Sequence, residues 1–363
     1  MRVKLEDVCE RGSSNIKQSD IIKMSGNYPI YGASGLAGKV NFYHQEQPYV
    51  AVVKDGAGIG RTTLNPAKSS VIGTMQYLIP KKNVLPEYLF YVVSYMHLEK
   101  YYTGATIPHI YFKDYKNEEF NLDNIEKQLE IIDVLGRCKK VIEARKQELG
   151  ELDSLTKARF VEMFGDPRSN PFGFEKKRLK DTCKVITGNT PSRAIEEYYG
   201  DYIEWIKTDN IVSGILNPTQ ATESLSEKGM NVGRTVEKDS ILMACIAGSI
   251  ASIGRVCITD RTVAFNQQIN AVVPEQYNIL FLYVLFQMSK DYLVEDINMA
   301  LKGILSKSKL EEKEFIIPPM DLQEQFSDFV KQVDKSKFDT MTFAPIYAII
   351  NLYLHTYFYQ GRR

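Results

Sequence analysis

A glycine-rich loop is the first feature whose spacing could do chemistry. Residues 55–60 read Asp-Gly-Ala-Gly-Ile-Gly and follow a strand-like run, a place where backbone N–H groups can bind phosphate. The spacing is G-x-G-x-G rather than the G-x-G-x-x-G of dinucleotide sites, and no strand–helix–strand pattern surrounds it. A later counterpart, residues 248–254, keeps only its first and last glycines. The pattern therefore favours a tight turn after a strand over a nucleotide site.

Motifs for catalysis are missing from the sequence. It contains no G-x-x-x-x-G-K-[ST] loop of an ATP-driven motor. Asn170-Pro and Asn217-Pro lack the second proline of the N-P-P-[YF] element found in amino-methyltransferases. Metal-ligand spacing is also missing among the four histidines, which are His44, His97, His109 and His355. The sequence thus predicts a non-catalytic protein with no cofactor and no metal ion of its own.

The cysteines and the amino terminus indicate a compartment. The five cysteines form no C-x-x-C pair, and an odd number cannot all be bridged within one chain. Reduced thiols are typical of the cytoplasm. The first residues, MRVKLEDVCERG, contain scattered charges and no apolar segment of a secretory signal. We therefore expect a cytoplasmic protein.

The charge balance is neutral, which is unusual for a protein that binds nucleic acid by itself. The chain has 45 Lys and Arg residues against 45 Asp and Glu residues. Residues 1–123 carry 14 basic and 12 acidic side chains, and residues 175–321 carry 17 and 20. Because phosphate neutralisation supplies most non-specific affinity for DNA, any such affinity must come from local patches or from partner subunits.

An internal duplication organises the chain. Three stretches recur in the same order, with offsets of 174, 194 and 197 residues: Lys4–Cys9 with Arg178–Cys183, Ile59–Arg61 with Ile253–Arg255, and Glu126–Gln128 with Gln323–Gln325. Each copy contains β-rich runs broken by glycines and a short helix-like stretch. Two globules of mixed α/β (α+β) class are therefore predicted, at residues 1–123 and 175–321.

Residues 124–164 are predicted to form one long helix between the globules. Its apolar residues recur at three, four or seven positions, as in a coiled-coil seam, and it contains no proline. Met163-Phe-Gly-Asp-Pro167 ends it with glycine at the stop and proline just beyond. Residues 165–174 then form a linker, and residues 322–338 begin a second helix of the same kind.

This order of elements resembles the specificity subunits of type I restriction-modification systems. Four short stretches of sequence also resemble the recognition domains of that family, namely Tyr28–Gly35, Thr187–Ser192, Trp205–Asn210 and Phe265–Asn270. The resemblance covers residues 1–338, and the order and duplication of the stretches carry it. It identifies the globules as two tandem target-recognition domains joined by a coiled-coil-type helix, a pseudo-two-fold internal repeat.

The resemblance implies a function in DNA recognition. Each domain would read one half of a bipartite site on double-stranded DNA, and the long helices would pack antiparallel and fix the gap between the halves. The helices would also dock methyltransferase subunits, two per chain, and restriction subunits would join. S-adenosylmethionine, ATP and Mg²⁺ would then be held by those partners. No membrane association is implied.

Residues 339–363 depart from the family pattern. From Thr340 to Gly361 the sequence has no charged residue, whereas a second spacer helix should have charged faces. A membrane span is conceivable, but Pro345, Asn351 and His355 make a poor one. We interpret the segment as a divergent apolar tail that replaces the second spacer helix. The subunit would then assemble poorly unless a second chain supplies that helix.

Polar residues in glycine-marked loops are the best candidates for DNA contact. Bases are read by Arg, Lys, Asn and Gln side chains, while hydroxyls and backbone amides hold phosphates. The candidates are Ser34, Lys54, Arg61, Thr106 and His109 in the first copy, and Thr190, Arg193, Lys207, Asn210, Ser249, Arg255, Asn266, Gln267, Lys302 and Lys307 in the second. For each, a merely solvated loop side chain is the alternative, and Asn266 could instead cap a turn.

Arg61 and Arg255 follow Ile-Gly at matching positions of the two copies. Matching placement suggests a shared task such as a phosphate clamp, because residues that read sequence should differ between the half-sites. A structural salt bridge is the alternative. Two other functions also stay open for the whole chain: a stand-alone restriction or methylation enzyme, and a coiled-coil interaction protein that does not bind DNA.

Overall fold

The chain folds into two compact units. A computed structural model describes residues 1–103, 108–297, 303–341 and 356–360. Unit 1 comprises Met1–Arg145 and the residues from Met341 onward, and unit 2 comprises Lys146–Thr340. The division 1–123, 124–164, 165–174, 175–321, 322–338 and 339–363 made from the sequence stays a prediction.

Unit 1 is built mainly from short strands. These are β1 (Arg2–Lys4), β2 (Cys9–Ser13), β3 (Tyr28–Gly32), β4 (Gly35–Val40), β5 (Tyr49–Val53), β6 (Thr62–Asn65), β7 (Ser70–Val71), β8 (Met75–Pro80) and β9 (Glu119–Asn121). The helices that begin in this unit are α1 (Leu5–Val8), α2 (Gln18–Ile21), α3 (Pro86–Ser94), α4 (Phe112–Tyr115) and α5 (Ile125–Phe164). Its sheets have the orders β2-β8-β5-β6, β4-β3-β7 and β1-β9.

Unit 2 contains the remaining elements. Its strands are β10 (Lys176–Arg178), β11 (Cys183–Thr187), β12 (Tyr199–Gly200), β13 (Ile203–Ile206), β14 (Ser224–Leu225), β15 (Thr235–Val236), β16 (Ile241–Ala244), β17 (Ile246–Ala247), β18 (Val256–Ile258), β19 (Val263–Phe265), β20 (Ile269–Pro274), β21 (Gly303–Ile304) and β22 (Glu314–Ile316). Its helices are α6 (Glu227–Val232), α7 (Ile279–Met288), α8 (Lys290–Val294), α9 (Lys307–Glu312) and α10 (Met320–Met341).

The two units share one sheet plan. The antiparallel sheet β11-β20-β16-β18 of unit 2 has the connectivity of β2-β8-β5-β6 in unit 1. In the second sheet, β13 pairs parallel with β19 as β3 does with β7. The outer pair β10-β22 matches β1-β9. The predicted mixed α/β fold with an internal repeat and a long central helix is confirmed.

The central strands explain why each unit holds together. Every residue of β5 is buried, and its side chains alternate between two apolar clusters, as the period of two requires. Val50 and Val52 pack with helix α3, whereas Tyr49, Ala51 and Val53 pack on the other face. In β16, Ile241 and Met243 contact one cluster while Leu242 and Ala244 contact another.

The hairpin that follows each central strand closes in the same way. Val53 N donates to Arg61 O and Gly60 N donates to Val53 O, both at 2.9 Å. Ala244 N donates to Arg255 O at 2.9 Å in unit 2, and Gly254 N donates to Ala244 O at 2.8 Å. Gly60 and Gly254 have φ of +80° and +77°, a conformation that glycine adopts without strain.

A buried glutamine fixes the start of each long helix. Gln128 Oε1 accepts from Leu85 N and Gln323 Oε1 accepts from Asn278 N, at 2.9 Å in both units, just before α3 and α7. Both amides also donate to the carbonyl five residues earlier. The two helices therefore correspond at an offset of 195 residues, and the sequence match of Gln128 with Gln325 at 197 was wrong by two positions.

An aromatic side chain anchors the carboxyl end of α5 in unit 2. Phe164 is fully buried, and its ring centroid lies 4.9 Å from that of Phe281, close to an edge-on arrangement. Phe160 packs beside it against Phe326. Gly165 follows with φ +71°, the left-handed conformation that commonly ends helices.

Residues 356–360 of the apolar tail make the matching contact in unit 1. Phe358 is fully buried, with its ring 5.6 Å from that of Tyr88 in an edge-on arrangement. Tyr88 and Phe281 occupy equivalent positions. Tyr88 is the third residue of α3, and Phe281 is the third residue of α7. The rest of the tail lies outside the described residues, and among those described no helix is long and apolar enough to cross a membrane.

Candidate nucleic-acid interface

Several candidate residues of unit 2 meet at the carboxyl ends of two parallel strands. Lys207 directly follows β13, and Gln267 lies two residues after the end of β19. Because β13 and β19 run parallel, the segments after them leave the sheet at the same edge. Thr190 joins them there, since its hydroxyl contacts the Gln267 side chain.

Two cations and one carboxylate form a cluster at this edge. Arg193 Nη2 donates to Glu223 Oε2 at 2.6 Å, and Lys207 Nζ contacts Glu223 Oε1. Lys207 Nζ also lies 5.1 Å from the Trp205 ring. Hydrogen bonds from Lys207 and Arg193 lower the pKa of the Glu223 carboxyl. The cluster therefore has one positive charge in excess at neutral pH.

An aromatic platform holds Arg193 in place. Its guanidinium carbon lies 4.5 Å from the centre of the Tyr199 ring and 5.2 Å from that of Trp205. Trp205 is nearly fully buried, and its Nε1 donates to Asn189 O at 3.3 Å. Stacking of this kind restricts the rotamers of an otherwise exposed arginine.

Arg255 bonds to backbone rather than to a carboxylate. Its Nε donates to Ser252 O and its Nη2 to Thr208 O, each at 3.3 Å. The side chain thereby ties its own loop to the segment after β13. Ser249, in the same loop, is exposed and contacts the hydroxyl of Ser252 at 3.0 Å. These bonds favour a structural role for Arg255, although of a different kind from a salt bridge.

Asn210 and Asn266 have their side chains committed within the protein. The Asn210 carbonyl accepts from Lys207 N at 3.0 Å, and its amide donates to Gln220 O at 3.0 Å. The Asn266 carbonyl accepts from Gln268 N at 3.1 Å, as expected for a turn cap. Both residues are at least nine-tenths buried. Their geometry favours the structural alternative, and their contact with DNA stays a prediction.

The remaining candidates of unit 2 lie apart from this edge. Lys307 opens α9 and pairs with Glu311 at 3.5 Å on the same helix. Lys302 lies outside the described residues. No contact joins Lys307 to the Glu223 cluster within the part of the chain that the structure describes.

In unit 1 two candidates meet at the glycine loop. His109 Nδ1 contacts Asp55 Oδ1, and Lys54 Nζ lies 4.0 Å from the other carboxylate oxygen. The His109 ring also lies 4.0 Å from the Tyr111 ring. Both members of the His109–Asp55 pair are about one-quarter exposed, so the pair is accessible but partly desolvated.

Ser34 and Arg61 are exposed in unit 1. Ser34 lies in the turn between β3 and β4, and Arg61 follows the glycine loop. No carboxylate of the described residues lies within 4.0 Å of the Arg61 guanidinium. Thr106 lies outside the residues that the structure describes. Arg61 thus differs from its counterpart Arg255, whose guanidinium bonds to backbone carbonyls, and its contact with DNA stays a prediction.

Sequence reasoning missed Glu223 and gave Tyr199 no role. Glu223 was counted only as part of an acidic excess, whereas the structure sets it between two cations. In the sequence, Trp205 stands out only as part of the stretch Trp205–Asn210. The single tryptophan of the chain, two residues before a lysine in a strand-like run, is the one local signal that points to this cluster.

Two kinds of reactive group can be checked among the described residues, metal clusters and thiols. They contain no group of three or more His, Cys, Asp or Glu side chains placed to hold a metal ion. Burial raises the pKa of Cys9, Cys183, Cys245 and Cys257 to about 12, so these thiols are poor nucleophiles at neutral pH.

Comparison with known families gives one extensive match. The profile of a family described as "Type I restriction modification DNA specificity domain" matches residues 1–153 and 171–346. The two matched segments follow the duplication seen in the sequence and in the two sheet plans.

Two curated relatives are specificity subunits of type I restriction enzymes. The HindI subunit of Haemophilus influenzae is 35% identical over 117 residues, which are 31% of this chain and 24% of that protein. The MjaIX subunit of Methanocaldococcus jannaschii is 26% identical over 281 residues, 70% of this chain and 63% of that protein. The chain thus matches less than two thirds of the length of either relative.

Solved structures share the fold. The S subunit of a type I restriction-modification system from M. genitalium superposes with a TM-score of 0.62 at 14% identity, covering 98% of this chain and 95% of that one. A chain from a structure that describes complex assembly and conformational transition of a type I system has a TM-score of 0.50, also at 14% identity, with 98% and 94% covered.

Proposed function

The chain belongs to the family of type I restriction-modification DNA specificity domains, and from this membership we propose that it is a sequence-specific DNA-recognition subunit. Each unit reads one half of a bipartite site on double-stranded DNA. The observation that carries the proposal is the duplication: two units with one sheet plan, connected through α5, differ in the side chains at their loop edges. Such a pair suits two unrelated short sequences on one duplex.

The long helices have a separate role in this proposal. α5 has 40 residues, which at about 1.5 Å per residue is about 60 Å of rigid rod. We propose that it sets the gap between the half-sites and, with α10, docks two methyltransferase subunits, to which restriction subunits add. The chain itself is non-catalytic and acts in the cytoplasm, and S-adenosylmethionine, ATP and Mg²⁺ are held by those partners. The raised pKa values of the buried thiols argue only against a nucleophilic role for those cysteines.

Selection from a pool of randomised DNA duplexes tests the recognition function. The full chain is incubated with the pool, with and without a co-expressed methyltransferase subunit, and the bound duplexes are sequenced. We expect a split, asymmetric motif with a constant gap. A single continuous motif, or none in either condition, contradicts the proposal.

Assembly is tested independently of DNA. The prediction that the chain assembles poorly without a second copy of the spacer helix is checked by co-purification with the methyltransferase subunit. A stable complex of one chain with two methyltransferase subunits contradicts poor assembly and supports the proposed docking. Failure to bind any methyltransferase subunit even when a second chain supplies the missing spacer helix contradicts the docking role.

A further inference from the structure

The Arg193 guanidinium is ordered before any ligand arrives. It stacks on Tyr199 and Trp205 at 4.5 and 5.2 Å while its side chain stays 56% exposed. Ordering a free arginine side chain costs on the order of 1–2 kcal/mol. Because stacking on Tyr199 and Trp205 already restricts the side chain in the free protein, most of this entropy is lost before binding. Such restriction is expected for a residue whose orientation matters for binding.

Most of the hydrogen-bonding capacity of Arg193 is unused. A guanidinium has five N–H donors, and Glu223 accepts from one of the two on Nη2. The part of the chain that the structure describes offers no other acceptor to this side chain. The Glu223 contact therefore orients the guanidinium and leaves its other N–H groups without a protein acceptor among the described residues.

A DNA base fits this arrangement better than a phosphate does. Glu223 offsets one of the two cations and places a carboxylate where a phosphate would be repelled. A flat guanidinium held by stacking matches a planar pair of acceptors, and guanine presents such a pair, O6 and N7, in the major groove. Thr190 and Gln267 at the same edge add groups suited to neighbouring base edges.

From this geometry we infer that Arg193 is a specificity-determining residue that binds one guanine of the half-site read by unit 2. Arg193 donates to guanine O6 and N7, and Glu223 is a positioning residue that aims the guanidinium. Lys207 holds the second oxygen of Glu223 and keeps the carboxylate in place. This inference rests on the proposed function, since it names what one unit recognises.

Three variants of the full chain test the inference in the duplex selection described above. Arg193→Lys keeps the charge but loses the fork, and we expect the guanine preference at one position to fall about tenfold or more, with the other half-site unchanged. Glu223→Gln is expected to weaken the preference at the same position while total DNA binding is kept or rises. Arg261→Lys is the matched control.

Arg261 suits this control because it also pairs with a glutamate, Glu204, in the same sheet. Its partner Glu204 directly precedes Trp205 in β13, so the two side chains point to opposite faces of the sheet, and no hydrogen bond or ion pair joins Arg261 to Arg193 among the described residues. We expect the motif selected by Arg261→Lys to equal that of the unchanged chain.

Each adverse outcome has a distinct meaning. A motif without guanine in the affected half, or an unchanged motif in both Arg193→Lys and Glu223→Gln, overturns the inference. Equal weakening at all positions makes Arg193 a phosphate contact and also overturns it. If the unchanged chain selects no split motif, the proposed function itself fails. Thermal unfolding monitors folding, and a poorly folded Arg193→Lys leaves Glu223→Gln to decide.

Discussion

Units 1 and 2 have the same backbone plan and different polar edges. Both close the central hairpin with the same pair of hydrogen bonds. In both, a buried glutamine accepts a hydrogen bond from the residue just before α3 or α7. The units differ where the parallel strands of the second sheet end. There unit 2 has Trp205 and Lys207 at the positions where unit 1 has Ile30 and Gly32. The parallel strand pairs set this correspondence, because Asn266 N donates to Ile206 O as Ile72 N donates to Tyr31 O.

A second difference lies beside the hairpin. Asp55 faces His109 in unit 1, and the corresponding bridge in unit 2 joins Ile246 to Ile304. An ionisable pair and an apolar pair thus occupy one structural position. Burial and backbone bonding therefore determine the scaffold, whereas the loop edges vary with little effect on it. The polar edge of one unit can therefore change without change in the other.

The largest expected effect comes from removing the aromatic anchors. Phe164→Ala and Phe358→Ala each delete a fully buried ring, and each should cost the unit that holds it about 3–5 kcal/mol in free energy of unfolding. The single tryptophan, Trp205, lies in unit 2, so its fluorescence reports unfolding of that unit during urea titration. Circular dichroism reports both units.

This pair of variants tests whether the tail belongs to unit 1. Phe164→Ala should shift the Trp205 transition to lower urea, and Phe358→Ala should leave it in place while lowering the transition seen only by circular dichroism. An unchanged circular dichroism curve for Phe358→Ala would show that the tail contact does not stabilise unit 1.

The structural features that depend on a local sequence pattern could be predicted from the sequence. Apolar periodicity and the Gly-Asp-Pro stop gave a helix at 124–164, and α5 spans Ile125–Phe164. Glycine spacing predicted a turn after β5, and three residues there have positive φ. The register of the repeat was off by two because Gln323 and Gln325 lie close together in the sequence, and it is the bonds of the Gln323 side chain to Asn278 N and Pro318 O that distinguish them.

The Arg193 cluster could not be predicted in the same way. Arg193, Trp205 and Glu223 come from three separate segments that the sheet brings together, and no local pattern connects them. The contact of Phe358 with Tyr88 spans an even greater separation in sequence. The tail was interpreted from its lack of charge, which gives composition but no packing partner.

The two matching arginines provide the next test. Arg255→Ala removes two hydrogen bonds to carbonyl groups of unit 2, and we expect a loss of about 1–3 kcal/mol in the Trp205 transition. Arg61→Ala should change stability by less than about 0.5 kcal/mol, since its side chain is exposed.

For DNA binding we expect the opposite order, with Arg61→Ala having a larger effect than Arg255→Ala. If Arg61 holds a phosphate, Arg61→Ala weakens binding to all duplexes equally and reduces the salt dependence by about one ion. Filter binding at several salt concentrations measures both. A changed sequence preference in Arg61→Ala would instead make it a base-reading residue and remove the distinction from Arg193.

Exchange of the pairs at the hairpin is expected to have a smaller effect. Asp55→Ile and His109→Ile each break the contact between His109 and Asp55, and in His109→Ile the carboxylate keeps only its longer contact with Lys54. The double variant instead copies the Ile246–Ile304 pair of unit 2. We expect the double variant to lose less free energy of unfolding than the sum of the losses in the two single variants, with a coupling of about 1 kcal/mol. Additive losses, measured by circular dichroism, would mean that the two bridges are not equivalent.

The smallest effect should come from the charge on Glu223, and it should depend on pH. Its pKa is lowered in the folded chain by Lys207 and Arg193, so the ionised form is favoured by folding. The stabilisation is present above the unfolded pKa, about 4.3, and is lost as pH falls through the lower folded value. Because the side chain is about one-third exposed, screening limits the effect to less than about 1 kcal/mol. Glu223→Gln should therefore shift the Trp205 transition slightly and constantly between pH 5 and about pH 8, and the difference should shrink below about pH 4. A difference that grows as the pH falls would mean that the carboxylate destabilises this edge, and unit 2 would then carry Glu223 for recognition alone.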